Sequence, residues 1–169
     1  MKRRILLLSL LVALFAGATA PAAMGTVHAQ QVRSHPAIFD KTRFAFHLGL
    51  AYFAFHHFVY KPYRAGSFKA GAAHRTASIV KAGAALLITY HELKKAYDIA
   101  KGSKSGLLQG LVKPLSGLIG TANRVANKLR GGQYSDAEVR DMTNSANAFS
   151  RRATHNGINI KDITVPGLK

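Results

Sequence analysis

The segment FAFHLGLAYFAFHHFVY, Phe44 to Tyr60, places seven aromatic rings and three histidines in seventeen residues without a formal charge. Nothing after it is as apolar, so whatever covers it decides the architecture. At about 100° per residue its apolar side chains do not keep to one side of a helix. His47, His56 and His57 point in three directions, with rings between them. A helix apolar all round is either buried centrally or lies in lipid. The segment rises about 26 Å, short of a hydrocarbon core of about 30 Å, and three histidines weaken a spanning role further. The pattern predicts a central helix. Phe44, Phe46, Tyr52, Phe53, Phe55 and Phe58 are then its core rings or, in the competing reading, a membrane-inserting element.

Around this segment the chain reads as all-α, a single small helical bundle of about four main helices with a short extended tail. Asp40 is placed to cap the first helix, which runs from about Lys41 to Tyr60 and stops before Pro62. Ser67 is placed to cap a second helix from about Phe68 to Lys101. Its seam is Phe68, Ala72, Ile79, Leu86, Tyr90, Leu93 and Tyr97. The first half of that helix is rich in alanine and glycine, which suits close approach by the bulky rings of helix one. Gly83 is the candidate for a break.

Lys101 to Ser105 reads as a linker ending in a cap. From Gly106 to Arg130 the apolar residues fall within an arc of about 140°, with Lys113, Arg124 and Lys128 on the opposite side. Pro114 predicts a kink, because its ring would press on the carbonyl of Gly110. Ser135 and Glu138 form a capping box opening a fourth helix to about Thr154, with Val139, Met142, Ala146, Phe149 and Ala153 along its seam. Asn156-Gly157 is a turn signal, and Ile158, Ile160, Ile163 and Val165 mark the tail over 156–169.

The N-terminus has the build of an export signal. Lys2, Arg3 and Arg4 precede an apolar run from Ile5 to Ala18, and Val27-His28-Ala29 gives a small-x-small cleavage pattern before Gln30. The expected arrangement is a cleaved signal over 1–29, a flexible lead-in over 30–39, a helical domain over 40–155 and the tail. The run is shorter than the roughly 20 residues of a spanning anchor. Removing three cations from 24 leaves 21 against seven acids, a net charge of +14 on the mature chain. Such a surplus speaks of partners and solubility rather than of fold. In an extracytoplasmic setting, secreted or at the cell envelope, the polyanions on offer are lipid headgroups and wall polymers.

The chain contains no cysteine, which excludes disulfides, thiol catalysis and zinc–thiolate sites. Histidine is the remaining metal candidate, through His47, His56, His57, His74 and His91. No two of these on one helix sit three or four residues apart, so no metal or other cofactor is assigned. His91-Glu92 begins like H-E-x-x-H, but the second ligand position is Lys95 and the motif fails. Of the seven acids, Asp40 and Asp136 read as helix-start residues, Glu138 belongs to the capping box with Asp141 in the same first turns, Glu92 and Asp98 have lysines nearby as solvated pairs would, and Asp162 is the seventh. Neither a nucleophile elbow nor a P-loop occurs, and the chain reads as non-catalytic. Its rings are segregated from its scattered cations, which argues against sequence-specific nucleic acid binding.

The expectation is therefore an exported basic protein whose partner is an anionic membrane surface, a wall polymer or an envelope protein. Lys94, Lys95, Lys113, Arg124, Lys128, Arg151 and Arg152 are the candidate contacts. Two rivals are a membrane-active, toxin-like protein inactivated by a charge at Phe53, and a histidine-based metal or haem protein.

Overall fold

The structure, a computed structural model, describes residues 36–161. The predicted export signal, and the end of the tail with Ile163 and Val165, lie outside the described residues. Within them the chain is all helix and turn, with no strand. The order is α1 (Pro36–Phe55), a π-helical turn (His56–Tyr60), α2 (Lys61–Arg64), α3 (Arg75–Gly102), α4 (Gly106–Gln109), α5 (Val112–Arg130) and α6 (Asp136–His155).

The first helix neither starts nor stops as the sequence suggests. Asp40 lies inside α1 rather than at its cap, because the helix is already formed from Pro36, a residue well suited to a first turn. At the other end the helical path continues past Pro62. The proline has no N–H, and its ring would press on the carbonyl of Phe58 in a regular helix. The chain widens into the π turn instead, with the Lys61 N–H donating to the carbonyl of His56. Residues 65–74 then form turns, with Gly66 at φ 77° and Gly71 at φ 82°, so helix two begins at Arg75 and not near Phe68. Ser67 caps nothing; its N–H donates to the carbonyl of Pro62. Phe68 is nonetheless fully buried.

The central element is α3, not the aromatic segment. It shares its two largest interfaces with α1 on one side and α5 on the other, and α6 packs on α5. Two partners explain why α3 shows no single seam: Ile79, Ala82, Leu86, Leu93, Ala96 and Ala100 are buried over a wide arc. Gly83 does not break the helix. Its missing side chain admits α5, since a Cβ there would sit 2.9 Å from the backbone N of Arg130. The small face of α3 thus receives the end of α5 as well as α1, whose own approach is made at Ala51. There the Thr89 hydroxyl, donating to the carbonyl of Ala85 at 3.0 Å, lies 3.4 Å from the carbonyl of Ala51.

The helix is interrupted ahead of Pro114: α4 ends at Gln109 and α5 opens at Val112, leaving Gly110-Leu111 between them. Ser105 makes no side-chain cap; Ser103 is the buried organiser, its hydroxyl accepting from the Ser105 N–H at 3.2 Å. Leu108, Leu111, Leu115, Leu118, Ala122, Val125, Ala126 and Leu129 form the buried stripe. In α6, Val139, Met142, Phe149 and Ala153 are buried as their spacing predicts. Gly157 at φ 73° lets the Ile158 N–H return to the carbonyl of Ala153 at 2.9 Å. That bond closes the helix end and drops Ile158 into the core.

Candidate functional site

The aromatic segment divides between core and surface. Phe44, Phe53 and Phe55 are buried, Tyr52 and Phe58 are half-buried, and Phe46 is 49% exposed. No described helix is long and apolar enough to cross a membrane. Phe53 is covered by His57, whose ring stacks at 5.2 Å, and by Phe58 at 6.1 Å. A charge at Phe53 therefore perturbs the fold as well as any lipid contact. The large rings still on the outside of α1 are Phe39, 61% exposed, and Phe46, seven residues on and so on the same side.

The histidines do not converge. His56 stacks between Tyr52 and Tyr60, His57 lies on Phe53, His74 is exposed at φ 55°, and His91 is exposed beside Tyr90. Among the described residues no group of three histidines or acids could hold a metal ion. His47 has a different task. Its Nδ1 lies 2.6 Å from Glu92 Oε2, joining α1 to α3, and Lys95 Nζ lies 2.8 Å from Glu92 Oε1. Glu92 is thus not the solvated partner of lysine that its neighbours suggest, for it is only 8% exposed.

Burial alone would raise the pKa of Glu92. Hydrogen bonds from Lys95 and His47, with their charges, outweigh it and hold the carboxyl below its usual range. An ionised carboxylate only accepts, so the His47 Nδ1 carries the proton of that bond. The arrangement orients an imidazole as a catalytic dyad would. The bond ties α1 to α3.

The candidate anion contacts fall into two groups. Lys95, Arg124 and Lys128 are engaged with carboxylates: Lys95 with Glu92, Arg124 with Asp141 at 3.8 Å, and Lys128 with Glu138 at 2.5 Å. The last pair replaces the expected capping box, because Ser135 makes no side-chain cap and Glu138 turns to α5 instead. A double-mutant cycle on Lys128→Ala and Glu138→Ala should return a coupling of about 0.5–1 kcal/mol by urea denaturation. No coupling would mean that the capping box forms after all.

Lys94, Lys113, Arg151 and Arg152 are exposed, and none meets a carboxylate among the described residues. They do not share one patch. Lys94 lines a cleft with Tyr90, Tyr97, Ser116 and Ile119, whereas Arg152 lines another with Pro114, Gly117 and Phe149. The apolar space between Leu48, Leu93, Leu118 and Met142 measures about 30 Å³, little more than room for water.

Sequence reasoning missed a further group at the loop end of the molecule. Tyr134 meets Phe68 edge-on at 5.4 Å, lies under the Arg75 guanidinium at 5.9 Å and donates its hydroxyl hydrogen bond to Asp136. Burial, and then the neighbouring Asp136 carboxylate, push its pKa well above the usual tyrosine value. The sequence around Tyr134 signals only the start of a helix at Ser135, not these contacts. No protein-family model matches the chain, and no curated protein or solved structure resembles it significantly.

Proposed function

We propose that the chain is an exported, non-catalytic helical protein, a small bundle behind a cleaved signal, that binds anionic surfaces at the cell envelope. The observation that carries this reading is how the charges are used. Residues 36–161 hold 19 lysines and arginines against six acids. Glu92, Glu138 and Asp141 are taken by the protein's own cations, and Asp136 by Tyr134. The cations left over face solvent on every helix longer than one turn. Lipid headgroups and wall polymers are the anions such a surface meets outside the cytoplasm, and an acidic envelope protein would meet the same surface.

The test is co-sedimentation of the purified protein with anionic and with neutral vesicles. Binding to anionic vesicles is expected to fall at least about tenfold between low and half-molar salt, because exposed charges are screened over about 8–10 Å at physiological ionic strength. Adhesion unchanged by salt would sink the reading.

A second reading is favoured by Phe39 and Phe46, two exposed rings on the outer side of α1 with Thr42 and Arg43 between them. If that side enters the lipid interface, as amphipathic interfacial helices do, vesicle binding will resist salt and Phe46→Asp will abolish it.

A further inference from the structure

The turns after α2 and before α6 meet at one end of the helices. There Tyr63, Arg64, Lys69, Tyr134 and Asp136 line a cleft of about 290 Å³. Loops held by a rigid scaffold are where binding groups concentrate, and this cleft is well held. Phe68, Arg75 and Asp136 fix the Tyr134 ring on three sides, and Arg75 is itself anchored by donating to the carbonyl of Phe68 at 2.9 Å. Lys69 is held through its backbone N–H, bonded to the carbonyl of Gly66 at 3.0 Å, and its stem passes close to that glycine. Arg64 and Lys69 are both exposed, and neither meets a carboxylate among the described residues.

We infer that this cleft binds a phosphate-bearing polyol or sugar unit, the chemistry shared by phosphodiester wall polymers and by phosphoglycerol lipid headgroups. The inference rests on the anionic-surface reading above and narrows it to one place. Two cations that meet no carboxylate among the described residues suit a phosphate, and the planar Arg64 fork can engage it through two oxygens. Asp136 in the same cleft opposes a bare anion. A carboxylate accepts hydrogen bonds from hydroxyls, so the ligand carries hydroxyls as well as charge. The Tyr63 and Tyr134 rings supply apolar flanks for a carbon skeleton, with phenolic hydroxyls as further partners.

The experiment titrates the purified protein with soluble poly(glycerol phosphate) and with phosphatidylglycerol vesicles. Glycerol 1-phosphate, glycerol and inorganic phosphate serve as small probes. Arg64→Ala/Lys69→Ala is compared with Lys104→Ala/Lys161→Ala, which removes the same charge at two exposed positions outside the helices. The first pair should weaken binding at least about tenfold, the loss expected for a charged hydrogen bond, and the second by less than about twofold. Glycerol 1-phosphate should bind more tightly than either inorganic phosphate or glycerol. Binding confined to the polymer or to the vesicles identifies which source is used, and either supports the site. Equal losses in the two double variants would overturn the cleft while leaving the anionic-surface reading intact. Inorganic phosphate binding as tightly as glycerol 1-phosphate would reduce the cleft to an anion contact and overturn the ligand class. Absence of binding to every anionic probe would remove both.

Discussion

Gly83→Leu is expected to cost about 2–3 kcal/mol of stability, the range for forcing extra atoms into a packed interface. A Cβ on Gly83 would already lie 2.9 Å from the backbone N of Arg130 and 3.2 Å from the carbonyl carbon of Leu129. Backbone inside a helix cannot step aside as a flexible side chain can. The whole end of α5 must move off α3, loosening the contacts of Leu129 and Ala82, which are buried there. Gly83→Ala should be milder, since alanine recovers up to about 1 kcal/mol of helix propensity against the clash. Gly120 gives the matched control. It lies in α5, faces solvent and has nothing within 4 Å of a built Cβ, so Gly120→Ala should stabilise by about 0.5–1 kcal/mol. Urea midpoints at constant m-value decide the matter. A Gly83→Leu protein as stable as the parent would show that α3 and α5 do not approach this closely.

The same glycine shows why some of the fold was legible in the sequence and some was not. α5 and α6 each bury one side, so their apolar residues repeat with helical spacing and their extents follow within a few residues. α3 is gripped by α1 and α5 together, which widens its buried face to about half of its circumference and blurs the period. Its small residues announced the approach of helix one, but not that the end of α5 would come against Gly83. The aromatic segment misled for a related reason. The most apolar stretch is not the centre: its Phe46 remains outside, as does Phe39 just before it, while the modest alanines and leucines of α3 lie inside. Local signals also lost to distant partners. Glu138 was well placed to close a capping box and turned to Lys128 instead; Asp40 could have capped a helix that had already begun. The loop cleft at Tyr134 depends on two turns separated by two long helices, and no spacing in the sequence brings them together. The bond between His47 and Glu92 spans 45 positions and was equally out of reach.

That bond sets the second large effect. Glu92→Gln should destabilise the protein by about 1–3 kcal/mol near neutral pH, the range for hydrogen bonds to charged groups. Glutamine keeps an acceptor for the His47 Nδ1–H but loses the charge that answers Lys95. Lys95 is more than half exposed, so solvent screens its share and Lys95→Met should cost well under about 1 kcal/mol. The pH dependence identifies the carboxylate as the source. The folded protein holds Glu92 below the ordinary value of 4.5, so the folded state favours the ionised form. The stabilisation is then complete above that value and is lost as pH falls through the lower, folded one. Urea denaturation of parent and Glu92→Gln should differ most near pH 7 and converge as Glu92 of the parent takes up its proton. A gap that stays constant down to strongly acidic pH would mean that the variant suffers from misfit of the amide, and that charge at Glu92 does not hold α1 to α3.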